Sequence, residues 1–183
     1  MALTKAALDK LFIGCSEIAL APVGTLTATS FDNADVIYTV KDSISFTQAA
    51  PTKTEVNVDQ FDAPIAATYE KGEFGIEGNI PSIAKEILEY FFNKNAPTTP
   101  VDITGFEFET GIDLDVKVVK AMVKITNKDK TAAIVIPNCE FVANFAGDAS
   151  NNTSPLAVHF MATPLANLTA GAGGTVLFYG KAA

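Results

Sequence analysis

The chain contains no arginine and no tryptophan, one histidine and two cysteines. Each shortage excludes something. All 13 basic residues are lysine against 21 acidic ones, a formal net charge of −8. Arginine is the usual bidentate fork for phosphates and base edges, and tryptophan a favoured stacking platform. Their absence argues against a surface that grips nucleic acid, although an acidic surface can face nucleic acid without holding it. Cys15 and Cys139 are expected as two reduced, partly buried thiols, with a disulfide as the alternative. No run of 18 uninterrupted apolar residues occurs, so no membrane span is expected. The opening stretch MALTKAALDKLFIG has dispersed lysines and does not read as a signal peptide. It reads as a short amphipathic helix with Leu3, Ala7, Leu8, Leu11 and Phe12 on one side.

What is present is an apolar fraction of 48% in 183 residues, enough for a real core. We expect one domain over residues 1–183, with 1–35 forming an N-terminal helix and arm and 46–69 an extended ribbon. Strand patterns dominate. Val36, Tyr38 and Val40 alternate, and Ile44 and Phe46 continue their parity. Val56 and Val58 alternate with polar neighbours. Phe106, Phe108, Leu114, Val116 and Val118 share one expected face, opposite Glu107, Glu109, Asp113, Asp115 and Lys117. TAAIVIPNCEFVANF follows NKDK, a hairpin turn without the Asn-Gly signature. In PLAVHFMATPL, Leu156, Val158 and Phe160 alternate, and TVLFYGK closes the series.

One stretch breaks the period. In EKGEFGIEGNIPSIAKEILEYFF, Phe74, Ile76 and Ile80 alternate, whereas Ile83, Ile87, Tyr90 and Phe91 form a helical stripe. Pro81 or Ser82 suits the helix start, which predicts a helix over about 81–93. The fold class expected is therefore mainly β: an antiparallel sandwich or barrel with one flanking helix, whose stripe packs on the sheets.

Chemistry-bearing patterns are few. His159 has no Cys or second His at ligand spacing and is expected as a surface or interface side chain. The glycines of KGEFGIEG lie within a strand and do not match a dinucleotide fingerprint. Asp32 and Asp35 lack the spacing of a calcium loop. The carboxylates alternate with core positions, as on a solvated strand face. No catalytic residue, cofactor or metal is therefore expected.

The ribbon region FTQAAPTKTEVNVDQFDAPIAATY combines strand formers with charge, which suits either an exposed assembly element or an internal hairpin. Three stretches carry a resemblance: PTKTEVNVDQFDAPIA, then YEKGEFGIEGNIPSIAKEILEYFF, then AAIVIPNCEFVANF with SPLAVHFMATPL. From about Val36 to Tyr179 the layout resembles the major tail tube proteins of tailed bacteriophages. That fold is shared with the tube proteins of type VI secretion and contractile injection systems. The resemblance implies a β-sandwich or barrel with a flanking helix, six-membered rings of identical subunits, and rings stacked into a tube within the virion tail. It implies assembly in the bacterial cytoplasm, other tail components as partners, and DNA as passing cargo only. Six copies of −8 would give a ring of about −48 before screening.

For contacts between subunits or rings we single out Pro51, Thr52, Lys53, Glu55, Val56, Val58, Gln60 and Phe61. Glu107, Glu109, Asp113 and Asp115 either line the channel or face outer solvent. Two other readings stay open: a secretion or injection tube that passes protein, and a lone carbohydrate-binding β-sandwich. The latter lacks tryptophan platforms and has only four tyrosines. An enzyme has the least support, for want of a site.

Overall fold

A computed structural model describes residues 12–57, 59, 62–147, 156–167 and 173–180. The fold is mainly β, built of antiparallel sheets, with one helix among the described residues. The predicted N-terminal helix lies outside them apart from Phe12.

The sheet is organised around a long bent strand. β9 (Val119–Asn127) and β10 (Ala132–Ala146) pair antiparallel across the NKDK turn. Asn127 supplies what the missing Asn-Gly would have given. Its buried Oδ1 accepts from the Thr131 and Ala132 amides at 2.8 and 3.0 Å, and Lys130 takes φ 54°. Pro137 sits where the ladder slips between Ile136 and Cys139, so its missing N–H costs no regular bond. At that bulge β10 changes partner on its other edge. β12 (Leu177–Gly180) pairs with Ala132–Val135, and β11 (Ala157–Pro164) with Cys139–Ala146.

The remaining strands of this sheet are β1 (Cys15–Pro22), β2 (Asp35–Ile37), β3 (Ser45–Gln48) and β6 (Phe74–Ile80). The order is β2-β1-β9-β10-β11-β6-β3, with β12 beside β10. β4 (Thr52–Val56) and β5 (Ala66–Glu70) form a separate two-stranded sheet. So do β7 (Asn93–Lys94) and β8 (Ile112–Asp113).

The main sheet curls into a barrel-like wall. Just beyond β2, the Val40 amide donates to the Asn79 carbonyl on β6 at 2.8 Å. Five strand spacings separate β2 from β6, about 24 Å across a flat sheet. Three residues from Ile37 to Val40 reach at most about 11 Å. Only curvature brings the two edges within that reach. Inside the curl lie Ile18, Leu20, Ile76, Ile80, Val123, Ile125, Ile136, Phe141, Val158 and Phe160.

The helix α1 (Lys85–Phe91) packs on this wall. Phe91 is buried and stacks on Phe160 at 6.5 Å, while Phe92, just past the helix, stacks on Phe145 at 5.0 Å. The lone helix thus drives an aromatic wedge into the concave face.

Several expectations need correction. The helix is shorter than 81–93. Ser82 Oγ instead accepts from the Ala84 amide at 3.2 Å, a local turn that spends the capping group before the helix begins. Ile83 is consequently exposed. The described part of 1–35 is not a free arm, since β1 is an interior strand held between β2 and β9. In β2 it is Ile37 that is buried, while Val36 and Tyr38 are exposed, the reverse of the predicted parity. The chain leaves the strand after Ile37, so no uninterrupted ladder carries parity on to Ile44. Nor do residues 106–118 form one strand: the only ladder there is the two-residue β8, and Phe106, Leu114, Val116 and Val118 are exposed. They alternate correctly but have no sheet to lie on.

The cysteines are free. Cys15 faces Asn127 and Cys139 faces Ala121 on β9, six residues apart. That separation is about 20 Å, far beyond the roughly 7 Å that a disulfide tolerates. Burial pushes the Cys139 thiol up to about 12.

Candidate assembly surface

The ribbon exists as a hairpin that stands off the barrel. All ten residues of β4 and β5 are exposed, and their ladder runs from Thr52↔Glu70 to Val56↔Ala66. Lys53, Glu55, Tyr69 and Ala67 alternate with Thr52, Thr54, Val56 and their partners, so the two groups occupy opposite faces. Lys53 and Glu55 form an ion pair along one face. Being exposed, that pair contributes little to stability. Val56, Ile65 and Tyr69 present apolar surface that the fold of one copy does not cover.

The base of the hairpin is tight. The Ala49 amide donates to the Glu73 carbonyl at 2.8 Å, and a Cβ on Gly72 would overlap the Ala49 carbonyl oxygen. Two chains cross from barrel to hairpin at backbone contact, which only glycine permits here.

Of the predicted contact residues, Thr52, Lys53, Glu55 and Val56 lie in β4 and Pro51 just before it, all exposed. Val58, Gln60 and Phe61 lie outside the described residues. The second strand, with Tyr69, completes the surface. Its alternation is weak because Ala66, Ala67 and Thr68 are small.

The acidic residues belong to a second feature: Asp113 in β8, Asp115 just past it, and Glu107 and Glu109 in the loop between β7 and β8. Asn95 closes its base: its amide donates to the Gly111 carbonyl at 2.8 Å, and its Nδ2 to Asp113 Oδ1 at 2.8 Å. Glu107, Glu109 and Asp115 are exposed, and Asp113 is half-buried in β8. They do not share a strand face as predicted, because the chain between them turns rather than extends.

The helix end anchors this loop. Lys117 Nζ donates to the carbonyls of Glu89 and Phe92 at 2.7 and 3.1 Å, using groups that a helix C-terminus leaves unpaired. Glu89 takes an ion pair from Lys94 at 3.0 Å and a bond from Thr110 Oγ1 at 2.9 Å. The Lys94 bond, then the Thr110 bond, hold its carboxyl below the ordinary range. At the loop's tip Ile103 and Phe106 exchange backbone bonds across Thr104-Gly105, with Gly105 at φ 85°. The sequence signal was there in ITGF, a glycine between two large apolar residues.

His159 pairs Nδ1 with Asn79 Oδ1 at 2.9 Å, a cross-strand link between β11 and β6. Among the described residues no group of three or more His, Cys, Asp or Glu could hold a metal ion. No described helix is long and apolar enough to cross a membrane. A scan of protein-family models finds no match to the chain, and a search of curated proteins finds none.

Proposed function

We propose that this chain is a structural subunit that self-assembles into stacked rings, the major tube protein of a phage tail. The observation that carries the reading is the β4–β5 hairpin. It holds its own ladder, shares none with the main sheet, and exposes every residue of both strands. A two-stranded hairpin alone in water is marginally stable. Both of its edges carry open backbone groups, which are either blunted or paired with another chain. Pairing with adjacent copies gives this element a partner, and a head-to-tail contact whose rotation closes gives a ring. In this reading Pro51, Thr52, Lys53, Glu55, Val56 and Tyr69 meet the next subunit or ring.

The acidic balance supports a channel that DNA crosses without sticking. Lysine-only basicity and a net charge of −8 per copy leave few phosphate clamps. Glu109, Asp113 and Asp115 border the channel, and Glu107, beside the turn, sits where two copies meet. The subunit performs no chemistry and needs no cofactor.

Negative-stain electron microscopy of the concentrated protein tests this, with a tail-tip initiator complex added in a second arm. Rings or tubes of uniform diameter are expected. A monodisperse monomer in both arms overturns the proposal. Tubes that retain protein rather than DNA assign the chain to a secretion or injection tube.

A further inference from the structure

The self-assembly reading leaves open which surfaces meet around the ring, and two features outside the hairpin fit one another. The first is the turn Ile103–Phe106. Its two large side chains are 69% and 71% exposed at the tip of a loop that is pinned at its base, with Asp102 and Glu107 on either side. Asp102 Oδ1 accepts from the Phe108 amide at 2.8 Å, which fixes the returning strand of the turn. The tip is therefore a rigid apolar knob with an acidic collar.

The second feature is a shallow groove of about 580 Å³ on the outer face of the barrel wall. Lys124, Val135 and Leu177 stand in one cross-strand row over β9, β10 and β12, with Tyr179 one pair further on. Phe31 and Leu26, from the segment between β1 and β2, form the opposite wall. The volume lies in the range of sites that take groups of this bulk. Lys124 is the one charged residue of the lining, and its Nζ lies 5.3 Å from the centre of the Phe31 ring.

A competing groove runs between α1 and β2, beside Ile87 and Tyr90, but it is edged by Asp35 and Glu86. An acidic collar brought there meets like charge, whereas at the first groove it meets a lysine. Charge complementarity favours the first groove over this one. A third cleft, beside Phe12, Ile44 and Phe46, carries Asp42 among its lysines Lys41 and Lys128, so of the three only the first presents positive charge alone.

We propose that the Ile103–Phe106 turn of one copy seats in the Leu26–Phe31–Lys124–Val135–Leu177–Tyr179 groove of a second copy. Knob and groove are different surfaces, so the contact is heterologous, and repeating it gives a ring or a helix. This inference rests on self-assembly but is narrower than it.

The test places a benzoylphenylalanine photocrosslinker at Phe106 in an equal mixture of isotopically light and heavy chains, with assembly followed by microscopy. Light–heavy adducts on Val135, Leu177 or Tyr179 are expected. Lys124→Glu should weaken association about tenfold or more, and Glu107→Lys should restore part of it. Adducts at the α1 groove, adducts only within one chain, or none at all overturn the contact. Tubes that form with adducts elsewhere remove this contact and leave the tube reading intact. Expected adducts without rings or tubes keep the contact and remove the tube reading.

Discussion

Lys117 reaches across from the start of the wall to the end of the helix, and its Nζ lies 2.7 Å from the carbonyl oxygen of Glu89. A single flexible cation thereby ties together α1, the loop carrying the apolar turn, and the strand that enters the core. Replacing it with methionine keeps the stem and removes the donors. Bonds from a charged donor contribute about 1.5–3 kcal/mol when well buried. This side chain is half-exposed, so a loss of about 1 kcal/mol is expected in urea unfolding. Hydrogen exchange should quicken at Thr110–Lys117 and stay unchanged in β9 and β10.

Glu89 gives this junction a pH dependence with a definite sign. Its folded carboxyl titrates below the ordinary value of 4.5, chiefly because of Lys94 and then Thr110. The stabilisation is complete above the unfolded value and lost as the pH falls through the folded one. Glu89→Gln should flatten the stability profile below about pH 4.5 and leave its shape at neutral pH unchanged. Chemical denaturation across pH 3–7 reads this directly; equal slopes in both proteins would refute the assignment.

The core prediction concerns the packing between Gly78 and Phe160. A Cβ on Gly78 would lie 2.5 Å from Ile44 Cδ1 and 2.8 Å from Phe160 Cζ. Phe160 is pinned by Phe91 and Phe141, so it has little room to yield. Gly78→Ala should cost about 1–3 kcal/mol through overpacking. Phe91→Ala should cost about 3–5 kcal/mol and undock the helix, visible as a lower midpoint for unfolding and loss of near-ultraviolet signal.

The strands that bury one face were legible because alternation reports a half-buried ladder. Of the alternating Leu156, Val158 and Phe160, the last two lie inside while Leu156, ahead of the ladder, is exposed, and the β9–β10 hairpin stands where NKDK placed it. The helix was legible as a change of period, though its first turn was lost to Ser82. What alternation could not convey is whether a sheet is present to receive the apolar face. Phe106, Leu114 and Val116 obey the same pattern as the core yet lie 71–76% exposed. The same limit explains β1, whose run of buried Ile18, Ala19, Leu20 and Ala21 is covered on both faces and so shows no alternation. The hairpin's existence was visible in its strand formers, but its separation from the barrel depends on the Ala49–Gly72 contact, which no local pattern encodes.

Under the tube proposal, neutralising the acidic residues tests passage apart from assembly. Glu109→Gln, Asp113→Asn and Asp115→Asn together keep shape and remove charge, and the amide oxygen introduced in place of the Asp113 carboxylate can still accept from Asn95. Tubes should form with unaltered diameter, while DNA retention in the lumen rises at low salt and falls as salt is added. Failure of the triple variant to assemble would place these side chains at a subunit contact instead.

The most direct prediction concerns the hairpin itself. Ala49 and Gly72 already touch, so Thr52–Glu70 can be exchanged for a short Gly-Ser link without moving β3 or β6. All ten ladder residues are exposed, and their only covalent demand on the barrel is at that base. Every described residue of 52–70 is exposed, so stability should change by about 1 kcal/mol or less. The shortened chain should give the same circular dichroism minimum and stay soluble, no larger than a single ring in sedimentation, and it should form no tubes at concentrations where the full chain is expected to. A shortened chain that aggregates or unfolds would show that the hairpin covers part of its own barrel. One that still forms tubes would show that stacking does not depend on the hairpin.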